Sequence, residues 1–221
     1  MVGINFPTIF SQKILHKGYM ATQITPTTEL QSVNIMLSTI GEAPVNSITG
    51  TTTVDVSTAR NILNETSMSI QSQGWNFNSH NNYKSLSLDG DSKVPLPSNC
   101  VKADANISQR HLNYTIRNGY LYDMDNHTDI FSSAPTSVDL VLVQQFEHLP
   151  EYARQYVTMK ASRRFASRFI GDKEITQLIG QDENEALMAF HQADSQEADI
   201  NILNGDANTF SIINRTGRRT Y

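Results

Sequence analysis

Cysteine is nearly absent from this chain: Cys100 stands alone among 221 residues. A single thiol excludes an intrachain disulfide framework and a cysteine-rich zinc site, and it predicts a buried, inert side chain in a protein made in a reducing compartment. Long apolar runs are missing too. None approaches the about 18 residues of a membrane span, so no membrane contact is expected. Basic residues are outnumbered, 17 Lys and Arg against 22 Asp and Glu, and a net charge of −5 argues against a chain-wide nucleic-acid footprint.

The familiar chemical signatures are also lacking. There is no GxxxxGK phosphate cradle, no GxGxxG turn, no HExxH helix and no GxSxG elbow. Six histidines (His16, His80, His111, His127, His148, His191) are dispersed without ligand spacing. Asp123 to Asp129 places oxygen side chains at alternate positions, as a calcium loop begins. Thr128 stands where that loop needs glycine, and Ala134 where it needs glutamate, so a solvated turn is expected. No catalytic, metal or cofactor residue is assigned.

What is present is periodicity, and it changes twice. Thr25-Pro26 reads as a cap and first helical residue, and Leu30, Val33, Leu37 and Ile40 recur at helical spacing up to Gly41, predicting a helix over 27–40. A second helix is expected over 54–73, with Ala59, Ile62, Leu63, Thr66 and Ile70 inward and Arg60, Asn61, Asn64, Glu65 and Ser67 on a solvated face. Gly74 ends it. GWNFN (74–78) then carries the only tryptophan. Trp75 and Phe77 are two apart, so in an extended segment both rings share one face and form a packing hub.

From there the period moves toward two. Residues 83–88 alternate before an Asp89-Gly90-Asp91 hairpin turn, and Val94-Pro95-Leu96-Pro97 reads as an edge or connecting segment. Tyr114 to Tyr122, folded about Asn118-Gly119, is the strongest hairpin signal, and Val138–Val143 is a β-branched strand. Helical spacing returns over 151–170 with Tyr152, Tyr156, Met159, Ala166 and Ile170. That helix also gathers Arg154, Lys160, Arg163, Arg164 and Arg168, either a solvated face or a subunit contact. Residues 172–206 reverse the sign, nine acidic residues against Lys173, with Leu187, Phe190 and Ala193 at helical spacing. Helices of opposite sign pair within a subunit or between neighbours, and spacing does not choose. Ser211–Tyr221 lacks an apolar period but holds Arg215, Arg218 and Arg219, as a tail that orders on a partner would.

The expected class is therefore α+β: a helical bundle (27–73 plus 149–205) with an inserted antiparallel β barrel or sandwich (74–148) and a flexible tail (206–221). Residues 1–26 form an arm or upstream extension. Met20 precedes the first good helix start and is read as the natural beginning.

In order, ITPTTELQSVNIMLSTIGEAPVNSI (24–48), GWNFN (74–78), VPLPSNC (94–100), RNGYLYD (117–123) and LPEYARQYVTMKASRRFASRFIGD (149–172) resemble the tail tubular, or head-to-tail adaptor, proteins of short-tailed bacteriophages. The resemblance implies a virion protein assembled in the host bacterial cytoplasm, with no enzymatic activity and no cofactor. Its helical part would form a ring of twelve copies between the portal and the tail nozzle. That ring would continue the channel through which genomic DNA passes without sequence-specific binding, and would help seat the tail fibres. By the same analogy the arginines of the tail engage the portal or a neighbour. Two rival readings are a glycan or cell-wall hydrolase carried on a tail, and a nucleic-acid module using the 154–168 helix.

Overall fold

The computed structural model describes residues 25–50, 52–106, 109, 111–171 and 173–197. Arg215, Arg218, Arg219, the rest of the 206–221 tail and residues 1–24 lie outside them. Among the described residues, four α-helices and five strands follow in the order α1 (Glu29–Thr39), α2 (Val54–Gln71), β1 (Ser79–Tyr83), β2 (Cys100–Ala105), β3 (Tyr114–Arg117), β4 (Tyr120–Asp123), β5 (Val138–Leu142), α3 (Glu151–Phe169) and α4 (Lys173–Glu197). The class is α+β.

α1 starts three residues later than Thr25-Pro26 suggests. Thr28 is its cap, because Gln31 at the third helical position completes a reciprocal pair: Gln31 N donates to Thr28 Oγ1 (3.2 Å) and Thr28 N to Gln31 Oε1 (2.9 Å). At the other end Gly41 takes φ +79°, and Glu42 N reaches back to Leu37 O at 3.1 Å. α2 is capped by Thr53 and ends at Gln71. Its supposed solvated face is only partly so, since Ser67 is buried and accepts a hydrogen bond from Gln71 Nε2 (2.9 Å).

α3 is the helix against which α1, α2 and α4 all pack. Val33, Met36 and Leu37 of α1, Val56, Ala59, Ile62, Leu63 and Ile70 of α2, and Tyr156, Val157, Ala161 and Phe165 of α3 form one core that Phe190 of α4 completes. Ile170, at the end of the expected apolar stripe, and Phe169 beside it are exposed: α3 outruns the core there.

All five strands lie between α2 and α3 in sequence. They fall into two sheets, one antiparallel in the order β1-β5-β2 and one the β3-β4 hairpin, over a second core of Val94, Leu96, Ala103, Ala105, Tyr114, Leu121, Val138, Leu140 and Leu142. A closed barrel is not seen among the described residues. The hairpin turn is as the sequence requires, with Asn118 at φ +52° and Gly119 at φ +81°. Val94 to Leu96 runs beside β4, giving Leu121 N a partner in Val94 O and Leu96 N one in Gly119 O, both at 2.9 Å. The stretch 84–88 is not a strand; β1 precedes it, where polar SHNNY gives little β signal.

Candidate assembly surfaces

The GWNFN junction is a turn rather than an extended segment. Asn76–Asn78 form one turn of 3-10 helix, and Asn78 builds it: its Oδ1 accepts from Trp75 N (2.8 Å) while its Nδ2 donates to Gln71 O (2.8 Å). Gly74, at φ +80°, passes so close to β5 that an added Cβ would sit 3.0 Å from Val141 Cγ2. Trp75 Nε1 donates to Ile70 O at 2.8 Å, which ties the indole to the helix it follows. Trp75 and Phe77 meet a residue that reading by type did not single out as central. Phe190, fully buried, has ring centroids of Trp75 at 4.3 Å, Tyr156 at 5.2 Å, Tyr152 at 5.5 Å and Phe77 at 6.4 Å.

Gln71 links the two halves of the molecule. Its amide behaves as a piece of backbone: Nε2 donates to Gln144 O (3.0 Å) and Oε1 accepts from Gln144 N (2.7 Å) just past β5. The chain therefore leaves the helices at 72–78 and returns at 143–149 with both passages tied to one buried residue, the first through the Gln71 carbonyl to Asn78 and the second through the Gln71 amide to Gln144.

The five basic residues of α3 separate into two groups. Arg154 turns inward and does not belong to a charged outer face. It is buried, and its guanidinium donates to the carbonyls of Leu149, Thr27 and Glu147. Those are ends of segments that no helix or strand satisfies, which is why a fixed fork of donors is suited to the place. Lys160, Arg163, Arg164 and Arg168 reach the surface. Lys160 lies over Tyr156 and donates to its hydroxyl (3.0 Å), Arg163 pairs with Glu183 of α4, Arg164 donates to Thr66 of α2 (3.1 Å), and Arg168 stands 3.6 Å from Glu65. Opposite-sign helices thus do pair within the subunit, through Arg163 and Glu183.

α4 also fastens its far end. Asp194 Oδ1 accepts from Asn76 N (2.8 Å), and the Tyr152 hydroxyl donates to Glu197. Partial burial and that carboxylate push the Tyr152 phenol well above its ordinary range. The outward face is different. Leu178 and Met188 are 62% and 72% exposed, and Asp182 and Glu185 beside them have no bonded partner among the described residues.

The Asp123 loop is a turn held by its own carboxylate. Asp123 Oδ1 accepts from Asp125 N (2.9 Å) and Asn126 N (3.0 Å), and Oδ2 from Asn126 Nδ2 (2.9 Å), which holds the acid below its usual pKa. Among the described residues no group of three His, Cys, Asp or Glu side chains is placed to hold a metal ion, and no helix is long and apolar enough to cross a membrane. Cys100 is half-buried at the start of β2, and burial raises its thiol pKa.

A family model described as tail tubular protein matches residues 30–200. Tail tubular protein A of Klebsiella phage KP34 is 33% identical over 129 residues, a match that spans 58% of this chain and 66% of that protein.

Proposed function

The chain belongs to the tail tubular protein family, structural components of phage tails rather than enzymes, and on that premise we propose that it is a head-to-tail adaptor. In this reading about twelve copies form a ring between the portal and the tail nozzle during assembly in the host cytoplasm. The ring continues the DNA channel and offers seats to tail fibres. The observation that carries the proposal is the family match over residues 30–200, which takes in the helical layer and the whole β unit.

The physical chemistry agrees with such a role. At −5 per copy, twelve copies carry a formal −60, and net negative charge disfavours tight phosphate binding, so DNA slides through without being read. A ring needs a heterologous contact in which one patch meets a different patch. Lys160, Arg163, Arg164 and Arg168 are the proposed basic side of that contact; Arg154 is consumed inside the subunit. The tail with Arg215, Arg218 and Arg219 is proposed to engage an acidic surface of the portal.

The test is the solution mass of the purified chain, alone and mixed with its cognate portal. A ring in either preparation is the expected result. A monomer indifferent to the portal would overturn the adaptor reading.

A further inference from the structure

Resting on the ring reading, the geometry points to the two faces that meet: we infer that the ridge of α4 bearing Leu178, Asp182 and Glu185 seats in the cationic cleft beside Arg164, Arg168 and Lys173 of a second copy of this chain. On α4, residues 178, 182, 185 and 189 follow at four, three and four, so Leu178, Asp182, Glu185 and Ala189 share one side of the helix. Met188 lies on the neighbouring stripe, four and eleven positions on from Asn184 and Gln177, which line the cationic cleft.

The face has what a copy-to-copy contact uses. Leu178 stands in water at 62% exposure, and the carboxylates of Asp182 and Glu185 beside it are unpaired among the described residues. The other acids of this helix are spoken for in part: Glu183 by Arg163, Asp194 by Asn76 and Glu197 by Tyr152.

The receiving surface is a cleft of about 660 Å³ where the end of α3 meets the start of α4, lined by Arg163, Ser167, Lys173, Gln177 and Asn184. Arg164 and Arg168 continue it toward α2 in an adjoining hollow. Only part of its charge is neutralised at home. Among the described residues Arg163 has Glu183, but Arg164 bonds only the Thr66 hydroxyl, Arg168 and Glu65 stand 3.6 Å apart with both side chains more than half exposed, and Lys173 has no bonded partner. A helix bearing acids on its ridge is the complement to such a cleft, and complementary potentials fix register and exclude wrong pairings. Ridge and cleft are different surfaces of one subunit. Their contact is therefore head-to-tail and propagates from copy to copy.

Two charge-reversed variants of the full chain test this, Asp182→Lys with Glu185→Lys on the ridge and Arg164→Glu with Lys173→Glu in the cleft. Each alone faces like charge with like, and sedimentation should show assembly weakened by about tenfold or more. Mixed in equal amounts, every ridge finds a cleft of opposite charge, and assembly should return in rings of alternating copies. That rescue also shows both variants are folded. Unimpaired assembly of either variant alone, or a mixture that stays monomeric, overturns this choice of faces while the wild-type ring stands. A wild-type chain that is monomeric alone and with the portal overturns the ring reading itself, and this inference with it.

Discussion

Side-chain amides substitute for backbone at the places where this chain changes direction. Asn34 of α1 exchanges two hydrogen bonds with the main chain of Val45, Nδ2 to Val45 O at 3.0 Å and Val45 N to Oδ1 at 2.8 Å, and Gln71 does the same with Gln144 across 73 positions of sequence. Gln71→Leu keeps the volume but leaves a donor and an acceptor of Gln144 without protein partners. The expected loss is about 1–3 kcal/mol, read from urea unfolding, because unmet partly buried polar groups cost more than the bonds they replace. Stability unchanged within error would mean water takes over both groups and that Gln71 is not a joint. None of this is legible in the sequence. A glutamine in a helix carries no mark of burial, and reading by type put the polar residues near it on a solvated face. Arg154 misled in the same way: its charge suggested solvent or a neighbouring subunit, whereas three carbonyls left free by the segments before α1 and α3 take it inside.

Elements were legible where local rules decide them. The Asn118-Gly119 hairpin was readable because positive φ at two successive residues has few chemical solutions, and α1, α2 and α3 because their apolar spacing is long enough to count. β2 was not readable. Its residues, CVKADA, have neither alternation nor β-branched density, and pairing with the central strand β5 makes it a strand. α4 showed only a partial helical spacing in an acidic stretch, and nothing there announced that Phe190 closes the helical core. Phe190→Ala should cost about 3–5 kcal/mol, the range for emptying a buried aromatic site. Hydrogen exchange should localise the damage: amides of α4 and of 75–78 lose protection while β3 and β4, which share no core residue with Phe190, keep theirs. Loss of protection in β3 and β4 as well would show the two cores to be one cooperative unit.

At the scale of the whole molecule, charge is arranged by direction rather than by total. The chain is net acidic, yet its last eleven residues carry Arg215, Arg218 and Arg219 with no acidic residue among them. A cationic end on an acidic protein repels neither portal nor neighbour if either offers carboxylates, and ion pairs of this kind govern the encounter more than the fold. Replacing all three arginines with alanine should therefore separate assembly from folding. Both cores are made of residues between Val33 and Phe190, so the melting temperature should stay within a degree or so, the range of a surface substitution. Binding to the portal, followed by co-sedimentation at rising salt, should weaken and lose its salt dependence. The proposed ring contact on α4 and its cleft lies elsewhere in the chain, so rings without the portal should still form. A triple variant that docks normally would remove the tail from the portal contact and leave the helical layer to account for it; one that docks poorly but also fails to form rings would place the arginines between copies instead.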